Sequence, residues 1–263
     1  MSLEMWKSLA ILLSNKKQMK KLFFYALCVA VLSSCTKPQK KDQVFEKIWK
    51  ATGGKSTFEK SRFFEFEFAV ERDRNKTPGR KHLWDRYTGD YRLESVDASG
   101  AKTVTLFNVN TKQGKAFVNG VALDNEQTSQ AIQTAYAKFI NDSYWLMVPL
   151  KLQDEGVNTE LAPDTAINDV KCNVIHLNFD KVGLTPGDQY WLFVNDNTGE
   201  VVQWTFLLQH QQKPATFTWA PYQDLGGGLK LSTKKINTDG KTTIYYPVAN
   251  VLTEVDKTKF TQP

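Results

Sequence analysis

Cysteine is scarce in this chain, with three in 263 residues at positions 28, 35 and 172. Cys28 and Cys35 belong to the leader described below, so Cys172 has no partner and a disulfide framework within one chain is excluded. Cys172 is expected to be a small, buried apolar residue. Histidine is equally sparse. His82, His176 and His210 sit singly in or beside strand-like stretches, without the HExxH spacing that would pair two of them on a metal. No GxSxG elbow, phosphate loop or dinucleotide fingerprint is present, and Gly226-Gly227-Gly228 lacks the Lys-Ser/Thr that would make it a phosphate cradle. Long apolar runs are missing too: residues 22–32 form a continuous one, about half of the ~20 residues a bilayer span requires. An excess of one charge is also lacking. Five lysines and one acid of the total lie in residues 1–34, which leaves 29 bases against 27 acids and argues against a nucleic-acid footprint.

The start of the chain is organised around Cys35. Lys20-Lys21, the apolar run 22–32 and the small pair Ser33-Ser34 lead up to that thiol. A cationic end, a short apolar middle and small residues before a cysteine describe a bacterial lipoprotein signal. Residues 1–34 are expected to be removed, with 1–18 a start-site artefact because Met19-Lys20-Lys21 makes the natural beginning. Cys35 would then be acylated, and residues 35–43 would form a polar tether. Thr36 is not aspartate, so the inner-membrane retention signal is missing and outer-membrane delivery is expected.

From Val44 the apolar residues recur at helical spacing, with Val44 and Ile48, and Phe45 and Trp49, on one face before Gly53-Gly54. The polar face lacks strong positive charge, so a lid over a sheet is expected rather than a membrane-surface helix. The period then becomes two. Phe64, Phe66, Phe68 and Val70 alternate with Glu65, Glu67 and Glu71, and short strand-like runs follow to Val118, separated by glycine-bearing turns. Residues 126–140 predict a helix carrying Ile132, Tyr136, Phe139 and Ile140 on one side. The apolar stretch 141–152 after it must plug the core or line a pocket. Strands resume at residue 170 and continue to 255, and the Asn195-Asp196-Asn197-Thr198-Gly199 loop reads as a hairpin turn rather than a calcium site. His176 alternates with the apolar positions of its strand and is expected to face water. The expected fold class is α+β: a large curved antiparallel sheet, an unclosed half-barrel of about 10–12 strands, with two or three helices as a lid on its concave face. One domain is expected over residues 44–256, followed by a tail at 257–263.

Three stretches carry a resemblance to known proteins. They are Trp84-Asp85-Arg86-Tyr87-Thr88-Gly89-Asp90-Tyr91-Arg92-Leu93-Glu94, residues 139–157, and Val182-Gly183-Leu184-Thr185-Pro186-Gly187-Asp188-Gln189-Tyr190-Trp191-Leu192-Phe193-Val194. Together they resemble a family of Bacteroidota lipoproteins of unknown function, which is itself similar to the LolA/LolB lipoprotein-sorting superfamily. That resemblance implies an open antiparallel barrel with a helical lid and an apolar concavity that holds acyl chains. The aromatic strand at 190–194, the turn ending at Gly199 and the following Val201-Val202-Gln203-Trp204 fit the recurrent hairpin of that superfamily. It transfers no catalytic residue.

Aromatic residues are the positive signal, with seven Trp, nine Tyr and sixteen Phe. The candidate cavity residues are Trp84, Tyr91, Trp145, Met147, Trp191, Trp204 and Trp219, with no catalytic residue, metal or cofactor. The expected function is that of a monomeric outer-membrane lipoprotein, held to the membrane through Cys35 and binding a lipid, acyl chain or other hydrophobic ligand, with no nucleic-acid partner. Lipid or lipoprotein trafficking is one such role. The first alternative is a non-catalytic structural or interaction lipoprotein with a filled core, favoured by a cavity below about 300 Å³. The second is a hydrolase using dispersed carboxylates such as Asp85, Glu94 and Asp188, which would require two of them in one cleft. The leader reading is checked by labelling cells with radioactive palmitate: the protein incorporates label, Cys35→Ala does not, and equal labelling of the two removes the lipidation assignment.

Overall fold

The computed structural model describes residues 39–180 and 187–263. Cys35 and the leader at 1–34 lie outside the described residues. The sheet begins with β1 (Phe63–Arg72), whose Phe64, Phe66 and Phe68 enter one core while Glu65 and Glu67 take the other face. Six strands follow, the last five leading to one edge: β2 (Asn75–Lys76), β3 (Arg80–Asp85), β4 (Asp90–Val96), β5 (Lys102–Asn108), β6 (Gly114–Val118) and β7 (Val121–Ala122). The second run is β8 (Val157–Ile167), β9 (Val170–Phe179), β10 (Gln189–Asn195), β11 (Val201–Leu207) and β12 (Ala215–Trp219). Then come β13 (Gln223–Asp224), β14 (Lys230–Leu231), β15 (Lys234–Asn237), β16 (Thr242–Tyr245) and β17 (Ala249–Leu252).

Among the described residues, fifteen strands join into one sheet ordered β7-β6-β5-β4-β3-β1-β16-β15-β12-β11-β10-β9-β8, with β17 and β2 also on β1 and the β13-β14 pair separate. Every pairing is antiparallel. The end strands β7 and β8 do not meet, so the sheet is unclosed and the fold is α+β. β1 is the seam between the two runs. Its first half pairs with β17 and its second with β16, and the Glu67 amide donates to the Val248 carbonyl (2.8 Å) where Pro247 interrupts the strand.

Among the described residues, the three α-helices are α1 (Lys40–Ala51), α2 (Lys55–Lys60) and α3 (Asn125–Lys151). α1 buries Val44, Phe45 and Ile48 against the β9–β11 part of the sheet, as its spacing predicts. It starts at Lys40, so four residues assigned to the tether are already helical. Gly53 ends it at φ 97°, and a Cβ there would meet the Gly228 carbonyl oxygen at 2.1 Å, so the glycine permits a close approach between the α1 turn and the β13-β14 loop. α3 differs most from expectation. Instead of a helix to 140 and a separate apolar segment, one 27-residue helix runs from its Asp124 cap through Pro149. Pro149 falls in the last turn, and the helix ends two residues later. A rise of about 1.5 Å per residue makes α3 roughly 40 Å long. It is the connection between the two edge strands, and it lies against the inner face of the sheet on the way. Ile132, Ala135, Leu146, Met147 and Leu150 enter the core built on β1, whereas Val148 and Leu152 enter the one built on β9–β11.

β8 was not expected, because its sequence is polar and contains Pro163. Both features suit an edge: the pairing with β9 shifts register between Ala162 and Thr165, where proline cannot donate to a ladder. α1 blunts this edge further, with Lys41 Nζ donating to the Thr159 carbonyl and Lys40 Nζ 2.8 Å from Asp164 Oδ1. The residues assigned to a tail are docked: a 3-10 turn at Lys257–Phe260 leads to carbonyls of Lys259 and Gln262 that accept from Arg92 at 3.0 and 2.6 Å.

Lys235 is the least expected member of the core. It is fully buried, its Nζ donates to the Ser232 carbonyl (2.6 Å), and it sits 4.6 Å over Trp219 and 4.8 Å over Tyr246. Two ring faces attract the cation, yet burial lowers its pKa well below the usual lysine value. Below the unfolded value the unfolded chain binds this proton more tightly than the folded one, so the group destabilises at neutral pH and the penalty fades as pH rises toward about 10.4. Lys235→Met is therefore expected to raise stability by about 1 kcal/mol, or about 2–4 °C in Tm, at neutral pH. Thermal melts across pH check it; a lower Tm for the variant at neutral pH would show that the aromatic and hydrogen-bond contacts outweigh desolvation.

Candidate functional site

The spacing of residues along α3 produces a cleft. Tyr136, Phe139, Ile140, Ser143 and Tyr144 recur at i, i+3, i+4, i+7 and i+8, the positions that share a helix face. They form one wall of a cavity of about 480 Å³. Phe179 from β9, Tyr190 from β10 and Trp204 and Phe206 from β11 form the other. Trp145 stacks on Trp204 with centroids 5.2 Å apart and meets Phe206 and Phe217 edge-on at 5.9 and 5.0 Å. The lining is predominantly apolar, and the charged groups Lys151, Asp154 and Glu155 stand beside it. Two other clefts mix polar and apolar lining. One of about 400 Å³ on the outer face carries Glu65, Glu67, Lys81, Arg92 and Glu94. The other, about 370 Å³ between α3 and β4–β6, carries Ser95, Thr103, Thr105, Gln127 and Lys138.

The structure distributes the seven candidate cavity residues over three environments. Trp145 and Trp204 line the apolar cleft. Trp219 stacks against Trp204 from the core (5.9 Å), Trp84 and Tyr91 pack on Phe139 at 5.1 and 4.9 Å, and Met147 is 1% exposed in the core. Trp191 lies on the opposite face of the sheet, stacked on His176 at 5.2 Å, because Tyr190 and Leu192 on either side of it turn inward. His176 contacts Glu160 (2.8 Å) and Gln189 (2.6 Å) on that outer face. The three candidate carboxylates have separate partners. Asp85 is bidentate with Arg62, Glu94 meets Arg92 and Lys102, and Asp188 accepts from the Gln209 amide.

A buried polar network holds α3 in place. Asp142 is fully buried and accepts two 2.7 Å bonds from Arg80 of β3. The Tyr246 hydroxyl donates to the Asp142 carbonyl at 2.7 Å. His82 Nε2 lies 3.1 Å from Asp142 Oδ2, and Nδ1 is 2.6 Å from the Tyr91 hydroxyl. A proton on Nε2, facing the carboxylate, leaves Nδ1 to accept from Tyr91. Burial favours protonated Asp142, but His82 and the Arg80 guanidinium outweigh it and hold the carboxyl below its usual range. Burial lowers His82 despite Asp142. Sequence reasoning missed this network, although a lone aspartate inside the apolar stretch 139–152 was its visible trace. It also missed Phe179 and Phe206, which reach the cleft from strands far apart in sequence.

The model of a family of unknown function, DUF6503, matches residues 20–242. Among solved structures, a DUF1329 family protein from Desulfovibrio piger is similar at 11% identity with a TM-score of 0.50, covering 83% of this chain and 96% of that one. A LolA superfamily protein from Nitrosomonas europaea is similar at 12% identity with a TM-score of 0.49, covering 84% and 97%. The first of these is a likeness of fold alone. No curated protein matches the chain.

Both network groups make acid destabilising. Below about pH 6.5 the unfolded chain protonates its histidine while buried His82 resists, and below the unfolded carboxylate range it protonates its aspartate while Asp142 resists. Stability is thus expected to fall as pH drops through these ranges. Asp142→Ala is expected to lose about 3 kcal/mol at neutral pH, the low end for breaking a buried pair because Arg80 keeps some contact with water. Urea unfolding at several pH values measures both effects; a neutral Asp142→Ala variant would refute the anchoring role.

Proposed function

Because this chain belongs to the DUF6503 family, whose function is unknown, we propose its role from its geometry: a lipoprotein of the cell envelope that holds an apolar ligand between α3 and β9–β11. The observation that carries this reading is the aromatic cleft of about 480 Å³, inside the range of about 300–1,000 Å³ typical of small-molecule sites. A hydrocarbon chain or lipid entering it would cover the exposed parts of Tyr136, Phe139, Trp145 and Phe206, and removing apolar surface from water is the driving force for such binding. Anchoring at the outer membrane through acylated Cys35 would keep the cleft near its ligand source, and the chain would act as a monomer, in lipid or lipoprotein trafficking. The role is non-catalytic. His82, Asp142 and Tyr91 are each no more than 1% exposed, so a substrate would have no access to them.

One observation favours a second reading, an interaction lipoprotein of the envelope. α1 and α3 fill much of the inner face with Val44, Phe45, Ile48, Leu146, Met147 and Leu150, so the open volume is a remnant beside the helix rather than a hollow barrel.

The two separate in a binding experiment. The full-length chain is expected to enhance the fluorescence of the uncharged dye N-phenyl-1-naphthylamine, and native mass spectrometry after gentle extraction is expected to show a co-purifying lipid. Leu208→Lys, at a half-buried cleft position, is expected to weaken dye binding about ten-fold or more while leaving the melting curve in place. No bound lipid together with no dye uptake would leave the interaction reading.

A further inference from the structure

The cleft of about 370 Å³ between α3 and β4–β6 arises from two local patterns. On the sheet, Ser95 of β4 pairs directly with Thr103 of β5, and Thr105 follows two residues along β5 on the same face. On α3, Gln127, Gln130, Thr134 and Lys138 recur at i, i+3, i+7 and i+11, so they form one stripe facing those strands. Ala131 and Ala135 lie in the same stripe, and their short side chains leave the space open. The stripe is on the side of the helix opposite Tyr136, Phe139, Ile140 and Tyr144, so this cleft is separate from the aromatic one.

Two of its residues are more than ordinary surface groups. Thr105 is 2% exposed, and its hydroxyl has no hydrogen-bond partner among the described residues. Unlike the sealed Tyr144 hydroxyl, it opens into the cleft. Lys138 is half-buried and has no ion pair among the described residues. The charges acting on it are Arg80 of β3 and Asp142 one turn further along α3, and both Asp142 oxygens already accept from Arg80. Burial first and Arg80 second lower the Lys138 pKa, against the pull of Asp142. With Arg80 and Asp142 offsetting each other, one positive charge is left without a counter-charge, and among the described residues no carboxylate lines the cleft. A hydrocarbon seated here would strip water from hydroxyls and amides and return no hydrogen bond. A neutral polyol would leave the ammonium uncompensated. We infer that the cleft is a site for a small hydroxylated monoanion of the sugar-acid kind, whose carboxylate meets Lys138 while its hydroxyls exchange hydrogen bonds with Thr105, Thr103 and Gln127. Such a ligand is independent of any apolar one held on the other side of α3.

Equilibrium dialysis of the full-length chain against labelled glucuronate, glucose and acetate tests this, at about pH 7 where both acids are ionised. Glucuronate is expected to bind about ten-fold tighter than glucose, which lacks the charge, and about ten-fold tighter than acetate, which lacks the hydroxyls. Lys138→Met is expected to erase the advantage over glucose, and Thr105→Val to weaken glucuronate binding several-fold. Both variants are expected to melt at the same or a higher temperature, because one removes an uncompensated charge and the other a hydroxyl with no internal bond. N-phenyl-1-naphthylamine already bound is expected to stay in place when glucuronate is added. Equal affinity for glucuronate and glucose or for glucuronate and acetate, a preference that survives Lys138→Met, displacement of the dye by glucuronate, or no glucuronate binding at all overturns the inference. A chain that takes up glucuronate but no dye keeps this site and loses the apolar-ligand reading alone.

Discussion

The position of α3 depends on one buried contact, the bidentate pair between Arg80 on β3 and Asp142 in the middle of the helix. A helix of 27 residues crossing an open sheet could slide or rotate with little loss of apolar burial, because aliphatic and aromatic side chains repack. A carboxylate at zero exposure cannot. Rotating it away from Arg80 and His82 would leave a charge in the core without a partner, the most destabilising arrangement available there. Tyr246 reinforces the same point by donating to the Asp142 backbone carbonyl, so strand β3 and the segment just after β16 hold one residue of the helix. A pair of this kind adds little net stability over an apolar equivalent, and its contribution is to define one placement among several of similar burial.

That placement explains the cleft. With Asp142 turned onto β3, Leu146, Met147 and Leu150 pack toward β1, while Tyr136, Phe139, Ile140 and Tyr144 stand along a gap facing β9–β11. α1 fills the space on the far side with Val44, Phe45 and Ile48, and Trp49 Nε1 donates to Gln153 Oε1 (3.0 Å) just beyond the end of α3. The open volume therefore lies between α3 and β9–β11. Its aromatic walls are continuous with the core, which is why Trp84, Tyr91 and Trp219 support the cleft without lining it.

The sheet itself combines two runs that meet on β1. β17 and β16 share that strand end to end, with Pro247 and Val248 between them. Edges receive separate treatment. β7 is only two residues long, and β8 is polar, bulged at Pro163 and bonded by lysines of α1. Both devices discourage pairing with another chain's strand, which an open sheet needs and a closed barrel does not.

Local chemistry was legible in the residues. The alternation of Phe64, Phe66 and Phe68 with Glu65 and Glu67 announced a half-wet strand. The Val44–Ile48 and Phe45–Trp49 pairs announced a helix over a sheet, and the Asn195 to Gly199 loop announced a hairpin, because each of these depends on neighbours within a few residues. β8 was hidden since an edge strand faces water and carries no apolar alternation, and the extent of α3 was hidden since a proline in a last turn looks the same in sequence as one that ends a helix earlier. Which aromatics would be core and which cleft could not be read at all. Trp145, half-buried, and the buried Trp204 line the gap while Trp84 and Trp219 do not, and that follows from where Asp142 meets Arg80, 62 residues apart in the chain. Residue type and spacing determined the elements and their wet and dry faces; only the long-range contact between one buried charge and its partner decided where the helix rests and so which apolar surface was left uncovered.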